Sequence, residues 1–201
     1  MIEESLNLLH YRCRAIYNVK PGYPIVFLHG YMFTSDVWRD IGLLDRLEEE
    51  DIPFIAIDMP YGRRSVCSPK TSDPDTNVRI VYEAVHGVFG SIKPLLVGAS
   101  LGGYIALKYS TLHPVLGLAL IAPVHSLEDE LLKHYRSFDK PVLLIYGSRD
   151  EIVSREEIDR LHSLLKNSRL KIYQEAKHPA YLDQPQRFIE DIIEFYRETT
   201  R

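Results

Sequence analysis

The chemistry-bearing residues of the chain begin with Gly98-Ala99-Ser100-Leu101-Gly102, which follows the apolar run Leu95-Leu96-Val97 and precedes Gly103. A serine at a sharp strand-to-helix turn takes a strained backbone conformation that projects its hydroxyl above the sheet. Residues two before and two after it crowd each other, so both must be small, and Gly98 and Gly102 meet that need. The N-terminus of the following helix favours developing negative charge. A dinucleotide or phosphate loop also joins a strand to a helix. The spacing here is not Gly-x-Gly-x-x-Gly, however, and no Gly-Lys-Ser/Thr follows. Ser100 is therefore the candidate nucleophile of an acyl-transfer site.

A serine hydroxyl is a weak nucleophile and needs a base held by a third group. Two candidates follow in the chain order Ser, Asp, His. Asp150 lies just past the apolar run Leu143-Leu144-Ile145-Tyr146, and His178 lies in Glu175-Ala176-Lys177-His178-Pro179. His178 would take the Ser100 proton, and Asp150 would fix the imidazole tautomer and stabilise the imidazolium. Glu151 or Asp58 could stand in for Asp150. His29 precedes the nucleophile, the wrong order for this role, and His125 is a pocket candidate. An oxyanion hole would take one N–H from Leu101 and a second from Tyr31, after His29-Gly30. Tyr31, Met32, Phe33 and His125 are the candidate substrate walls.

These residues need parallel strands with helices between them. The pattern gives one or two strands over 6–19, then strands at Ile25–Leu28, Phe54–Ile57, 94–99, 116–122, 142–146 and 170–173. Helices fall between them, with one from about residue 36 placing Trp38, Ile41, Leu44 and Leu47 inward, and a last one over Pro185–Thr199. Such alternation predicts βαβ units, a mostly parallel sheet and helices on both faces. Ligands then bind beyond the carboxyl ends of the strands. Those ends carry His29-Gly30-Tyr31, Asp58, Ser100, His125, Asp150 and His178.

The chain has 201 residues, with 45% hydrophobic and 26% charged, and suits one domain over 1–201. Its net charge of −4 offers no basic field for nucleic acid or anionic lipid. No apolar run approaches the length of a membrane span, and the N-terminus lacks a signal-peptide pattern. Cys13 and Cys67 are too few for a disulfide framework and are not spaced as metal ligands. The expectation is a cytoplasmic protein with reduced cysteines, no metal and no cofactor.

Taken together these motifs resemble the α/β-hydrolase fold superfamily, from about Pro24 to the C-terminus. The matching segments are His29-Gly30, Asp58-Met59-Pro60-Tyr61-Gly62 with Ser65, Gly98 to Gly103, Gly147 to Asp150 and His178. The resemblance implies a Ser100–His178–Asp150 triad, oxyanion donors at Tyr31 and Leu101, and Asp58 as a structural acid near the oxyanion loop. The chain departs from the family at Tyr61-Gly62-Arg63, where Gly-His-Gly is common, and at Lys177, where a Gly is common. Only 17 residues lie between Pro123 and Pro141, where many members insert a cap. The chain is thus similar to the small capless branch. His29 to Ser35 with Trp38, and His178-Pro179-Ala180-Tyr181-Leu182-Asp183, resemble the carboxylesterase-like proteins of the TFIID-interacting factor B type.

The expected activity is a serine hydrolase acting on short carboxylic esters, thioesters or activated amides, with a small-molecule substrate. Acyl transfer or perhydrolysis on the same serine is the alternative within enzymes. A protein-binding module that keeps the fold is the alternative outside them.

Overall fold

A computed structural model describes residues 1–201. The strand-forming runs are rich in Ile, Val, Leu and Phe, and most become fully buried strands: β3 (Ile25–Leu28), β4 (Phe54–Ile57), β5 (Leu95–Ala99), β6 (Gly117–Ile121) and β7 (Val142–Gly147). A strand covered on both faces has no polar side to show, so it reads as a continuous apolar run. With β1 (Ile2–Leu8), β2 (Tyr11–Tyr17) and β8 (Ser168–Tyr173) they form one eight-stranded sheet, ordered β1-β2-β4-β3-β5-β6-β7-β8. The β1–β2 and β2–β4 pairs are antiparallel and the remaining pairs are parallel.

Helices cover both faces. Trp38 of α1 (Asp36–Asp40), Leu44 of α2 (Leu43–Glu49) and Phe188 of α8 (Pro185–Thr199) pack against Phe27, Phe54 and Val97. On the other face Val81 of α3 (Pro74–Phe89), Ile105 of α4 (Leu101–Leu112) and Leu131 of α5 (Asp129–Tyr135) pack against Val26, Leu28 and Leu96. Two further helices, α6 (Arg155–Leu164) and α7 (Ala180–Asp183), flank β8 in sequence. The single helix expected over Trp38–Leu47 is two helices, because Gly42 takes φ +82 between them. Between β6 and β7 stands α5 alone, so the domain has no cap.

Cys13 and Cys67 are joined as a disulfide, which corrects the expectation of reduced thiols. The two lie far apart in sequence but become neighbours through backbone pairing. Arg12 N–H donates to Ser68 O at 2.8 Å and Ser68 N–H to Arg12 O at 3.1 Å. No local pattern in the sequence announces that pairing. The loop after β4 is thereby clipped to β2. No helix is long and apolar enough to cross a membrane.

Candidate active site

The strand order reverses at β3, which lies between β4 and β5 although it precedes both. Crevices at such reversals are where open α/β sheets bind ligands. Ser100 follows β5 at that edge with φ +53 and ψ −114, a conformation strained for any residue with a Cβ. The turn survives because its neighbours have no side chains. A Cβ on Gly98 would lie 2.4 Å from Gly102 O, and one on Gly102 would lie 2.1 Å from Leu28 O. Ser100 N–H donates to Ile121 O at 2.9 Å, and Val124 N–H donates to Ser100 O at 3.3 Å, so β6 braces the turn.

Asp150 and His178 are brought together from the ends of β7 and β8. The loop that carries His178 lies on Gly147, where a Cβ would meet Lys177 O at 2.2 Å. Arg149 N–H donates to Ala176 O at 2.8 Å, and Lys177 N–H donates to Asp183 Oδ2 at 2.7 Å. His178 Nδ1 stands 2.8 Å from Asp150 Oδ2. Asp150 Oδ1 accepts N–H bonds from Ile152 at 2.8 Å and Val153 at 3.0 Å. Burial pushes this carboxyl up, but the His178 hydrogen bond and those two N–H groups outweigh it and hold it below the usual range. An ionised carboxylate only accepts, so Nδ1 carries the imidazole hydrogen and Nε2 is the free base position. The Asp150 side chain is fully buried, while that of His178 is 19% exposed. Ser100 Oγ makes no hydrogen bond to either residue. Such bonds are commonly long without substrate and tighten in the Michaelis complex. Glu151 is exposed and lies outside this network.

Two backbone N–H groups stand at the turn. Leu101 opens α4, and the first residues of a helix have no intrahelical acceptor. The Tyr31 N–H likewise has no acceptor within the protein. The preceding residue, Gly30, packs directly on the serine: a Cβ there would lie 3.6 Å from Ser100 Cβ.

His29, which precedes the serine in the chain, braces the loop that carries the Tyr31 N–H. It is fully buried, and burial pushes its imidazole below the ordinary range. Nδ1–H donates to Gly30 O at 2.8 Å, and Nε2 accepts from Met59 N–H at 2.9 Å. Gly30 O and the Tyr31 N–H belong to one planar peptide group and point in opposite directions. Holding the oxygen therefore aims the N–H. The dipeptide His29-Gly30 was the available signal, but the role appears only once the backbone atoms are placed.

Asp58 is a structural acid. Its Oδ1 accepts both the N–H and the hydroxyl of Ser35 at 2.7 Å, and Oδ2 accepts Arg14 Nε at 3.2 Å. That network anchors the start of α1 behind the loop that carries Tyr31.

The four expected wall residues separate. Tyr31 is 50% exposed and lines an open cleft of about 570 Å³ with Tyr61, Arg63 and Lys70. His125, at φ +54, lines another of about 660 Å³ with Glu128, Glu156 and Glu157. Met32, 41% exposed, and Phe33, which meets Tyr181 edge-on at 6.3 Å, line neither.

A family model described as the alpha/beta hydrolase family matches residues 25–138. Mouse protein ABHD14A is 31% identical over 166 residues, which cover 82% of this chain and 66% of that one. The chain spans about two thirds of the length of the ABHD14A relatives it matches. The human protein named "Putative protein-lysine deacylase ABHD14B" is 26% identical, covering 86% of this chain and 82% of that one. A predicted CIB-like hydrolase from Thermoplasma acidophilum superposes with a TM-score of 0.87 at 24% identity, over 98% of both chains. An esterase from Exiguobacterium antarcticum superposes at 0.82 with 18% identity, over 98% of this chain and all of that one. At those identities the structures speak for the fold. The family model, which spans more than half of the sequence, establishes that the chain belongs to the alpha/beta hydrolase family.

Proposed function

We propose that the protein is a serine hydrolase that cleaves short-chain carboxylic esters, thioesters or activated amides through an acyl-enzyme on Ser100. The observation that carries the reading is a serine held at φ +53 on a strand edge it shares with a bonded Asp150–His178 pair. Ser100 Oγ attacks the acyl carbon as its proton passes to His178 Nε2. The bond to the leaving group breaks, and His178 returns the proton to that group. Water then attacks the acyl-enzyme by the same path, releasing the acid and restoring the serine hydroxyl. Asp150 stabilises the imidazolium without taking its proton. The N–H groups of Tyr31 and Leu101 receive the oxyanion in both steps.

A fluorophosphonate probe with peptide mapping tests this reading. Ser100 is expected to be the residue labelled, and Ser100→Ala is expected to abolish both labelling and turnover of 4-nitrophenyl acetate. Labelling at another serine, or undiminished turnover in Ser100→Ala, overturns it.

One observation favours a second reading. The cleft entered past Val124 is lined by Glu128, Glu156 and Glu157, with Arg160 alone in opposition. Such a wall suits a substrate with cationic flanks. Relatives of this chain carry protein-lysine deacylase in their names. The same serine chemistry applied to an acylated lysine in a basic peptide would release the lysine amine in place of an alcohol. Turnover of an acetyl-lysine peptide that exceeds turnover of the ester selects this reading.

A further inference from the structure

The cleft that begins at Tyr31, one residue past the Gly30 that packs on Ser100, has the opposite charge. We propose, resting on the hydrolase reading above, that it is an anion subsite, and that the substrate carries a carboxylate or phosphate held there by Arg63 and Lys70. The cleft is lined by Tyr31, Tyr61, Arg63, Lys70, Thr71 and Ser72, with no carboxylate among its lining residues. The Arg63 guanidinium makes no ion pair and no hydrogen bond within the protein, whereas the Arg63 backbone N–H donates to Tyr31 O at 2.7 Å. That bond fixes the Arg63 backbone beside Tyr31 and leaves its side chain free to reach a ligand. Lys70 Nζ donates to Gly62 O at 2.9 Å and to Ser65 O, both neutral carbonyls. An ammonium has three hydrogens, so one remains for a ligand. The nearest acid behind them, Asp58, is already engaged by Arg14 and Ser35.

The loop that carries Lys70 is anchored. Lys70 bridges two turns of its own loop, and the Cys13–Cys67 disulfide and the Arg12–Ser68 pairing fix that loop to the sheet. A tethered ammonium and an unpartnered guanidinium, both without a counter-ion, are placed for a ligand that brings one. The glutamate cleft follows β6 and β7, whereas this one follows β3 and β4, with β5 between them; its charge repels the same group, so the two clefts orient an anionic substrate in one sense.

Matched esters test the subsite: 4-nitrophenyl hydrogen glutarate against 4-nitrophenyl pentanoate, similar in length and differing in charge. The intact protein is expected to favour the glutarate ester in kcat/KM by about fivefold, the size of one exposed ion pair. The preference is expected to shrink in 1 M salt. The Arg63 side chain has no hydrogen-bond or ion-pair partner, so Arg63→Gln is expected to remove most of the preference and Arg63→Lys to keep part of it. Equal preference in the intact protein and Arg63→Gln, or no preference in the intact protein, overturns the subsite. If neither ester is turned over, the hydrolase reading fails, and calorimetric titration of Ser100→Ala with glutarate and with inorganic phosphate decides the subsite separately. Binding by either ion that weakens in Ser100→Ala/Arg63→Gln supports it, and the ion that binds identifies the anion as carboxylate or phosphate. No binding by either overturns it.

Discussion

Asp150 and Asp58 are both fully buried carboxylates at the same edge of the sheet, and their partners tell them apart. Asp150 faces an imidazole, whereas Asp58 faces a guanidinium and a helix start. Asp150→Asn is expected to cut kcat by about 10⁴ through the wrong imidazole tautomer while changing the melting point little. Asp58→Asn is expected to weaken the buried network to Ser35 and Arg14, which keeps Asp36 and Glu3 as partners, and to cost about 1–3 kcal/mol of stability. Parallel melting and kinetic measurements separate the two; a crippling Asp58→Asn with a mild Asp150→Asn reverses the assignment. His29 adds a pH effect. Its imidazole is held below its ordinary range by burial, with Gly30 O and Asp58 opposing and Lys70 and Arg14 assisting. The unfolded chain takes a proton below about pH 6.5 and the folded one does not, so His29 stabilises the fold above that pH. Stability then falls as pH drops, by up to ~1.4 kcal/mol per unit. Denaturant melts at pH 7 and pH 5 are expected to show a steeper loss in the intact protein than in His29→Gln; equal losses would remove His29 from this role. The order Ser, Asp, His was legible in the sequence because side-chain types and strand ends suffice for it. The work of His29 was not, because it acts on a carbonyl and an N–H that any residue would supply.

Elements position these groups through close backbone approaches. The β5–α4 turn depends on Gly98 and Gly102, and a Cβ on Gly102 would strike Leu28 O of β3. Backbone cannot yield as a flexible side chain can, so Gly102→Ala is expected to destabilise by several kcal/mol or to prevent folding. Gly87 is the opposite case. It lies inside α3, and a Cβ there meets nothing within 4 Å. Gly87→Ala is expected to stabilise by about 0.5–1 kcal/mol, the gain in helix propensity and lost freedom of the unfolded chain. Thermal melts of the two variants should move in opposite directions, and a shared direction would mean that the spacing of these glycines is misjudged. The same backbone effects mark what the sequence concealed. The β1–β2 turn runs through Leu9 at φ +57, a residue that carries no turn signal. Gly42 breaks one amphipathic pattern into two helices without disturbing its apolar period, so periodicity alone could not find the break.

The whole molecule sets the shape of the site through what stands between β6 and β7. Only the seven-residue helix α5 is there, and nothing roofs the edge that carries Ser100. The missing roof was readable as the short interval between two prolines. The opposite charges of the flanking clefts were not, since Arg63 and Lys70 reach one side and Glu128, Glu156 and Glu157 the other only after the chain folds. An open site limits the energy available from an acyl chain. Each buried CH₂ is worth about 0.8 kcal/mol, roughly fourfold in kcat/KM, and a CH₂ left in water contributes nothing. Ile152, two residues past Asp150, is 68% exposed and offers little cover to a long chain. Neutral 4-nitrophenyl esters are therefore expected to gain in kcat/KM only up to acyl chains of about six carbons and then to level off. Activity is also expected to show no jump when the substrate passes its solubility limit, because there is no lid for an interface to open. An acyl series from acetate to decanoate measures both. A continued fourfold rise per CH₂ out to ten carbons would require a buried tunnel that this fold does not contain.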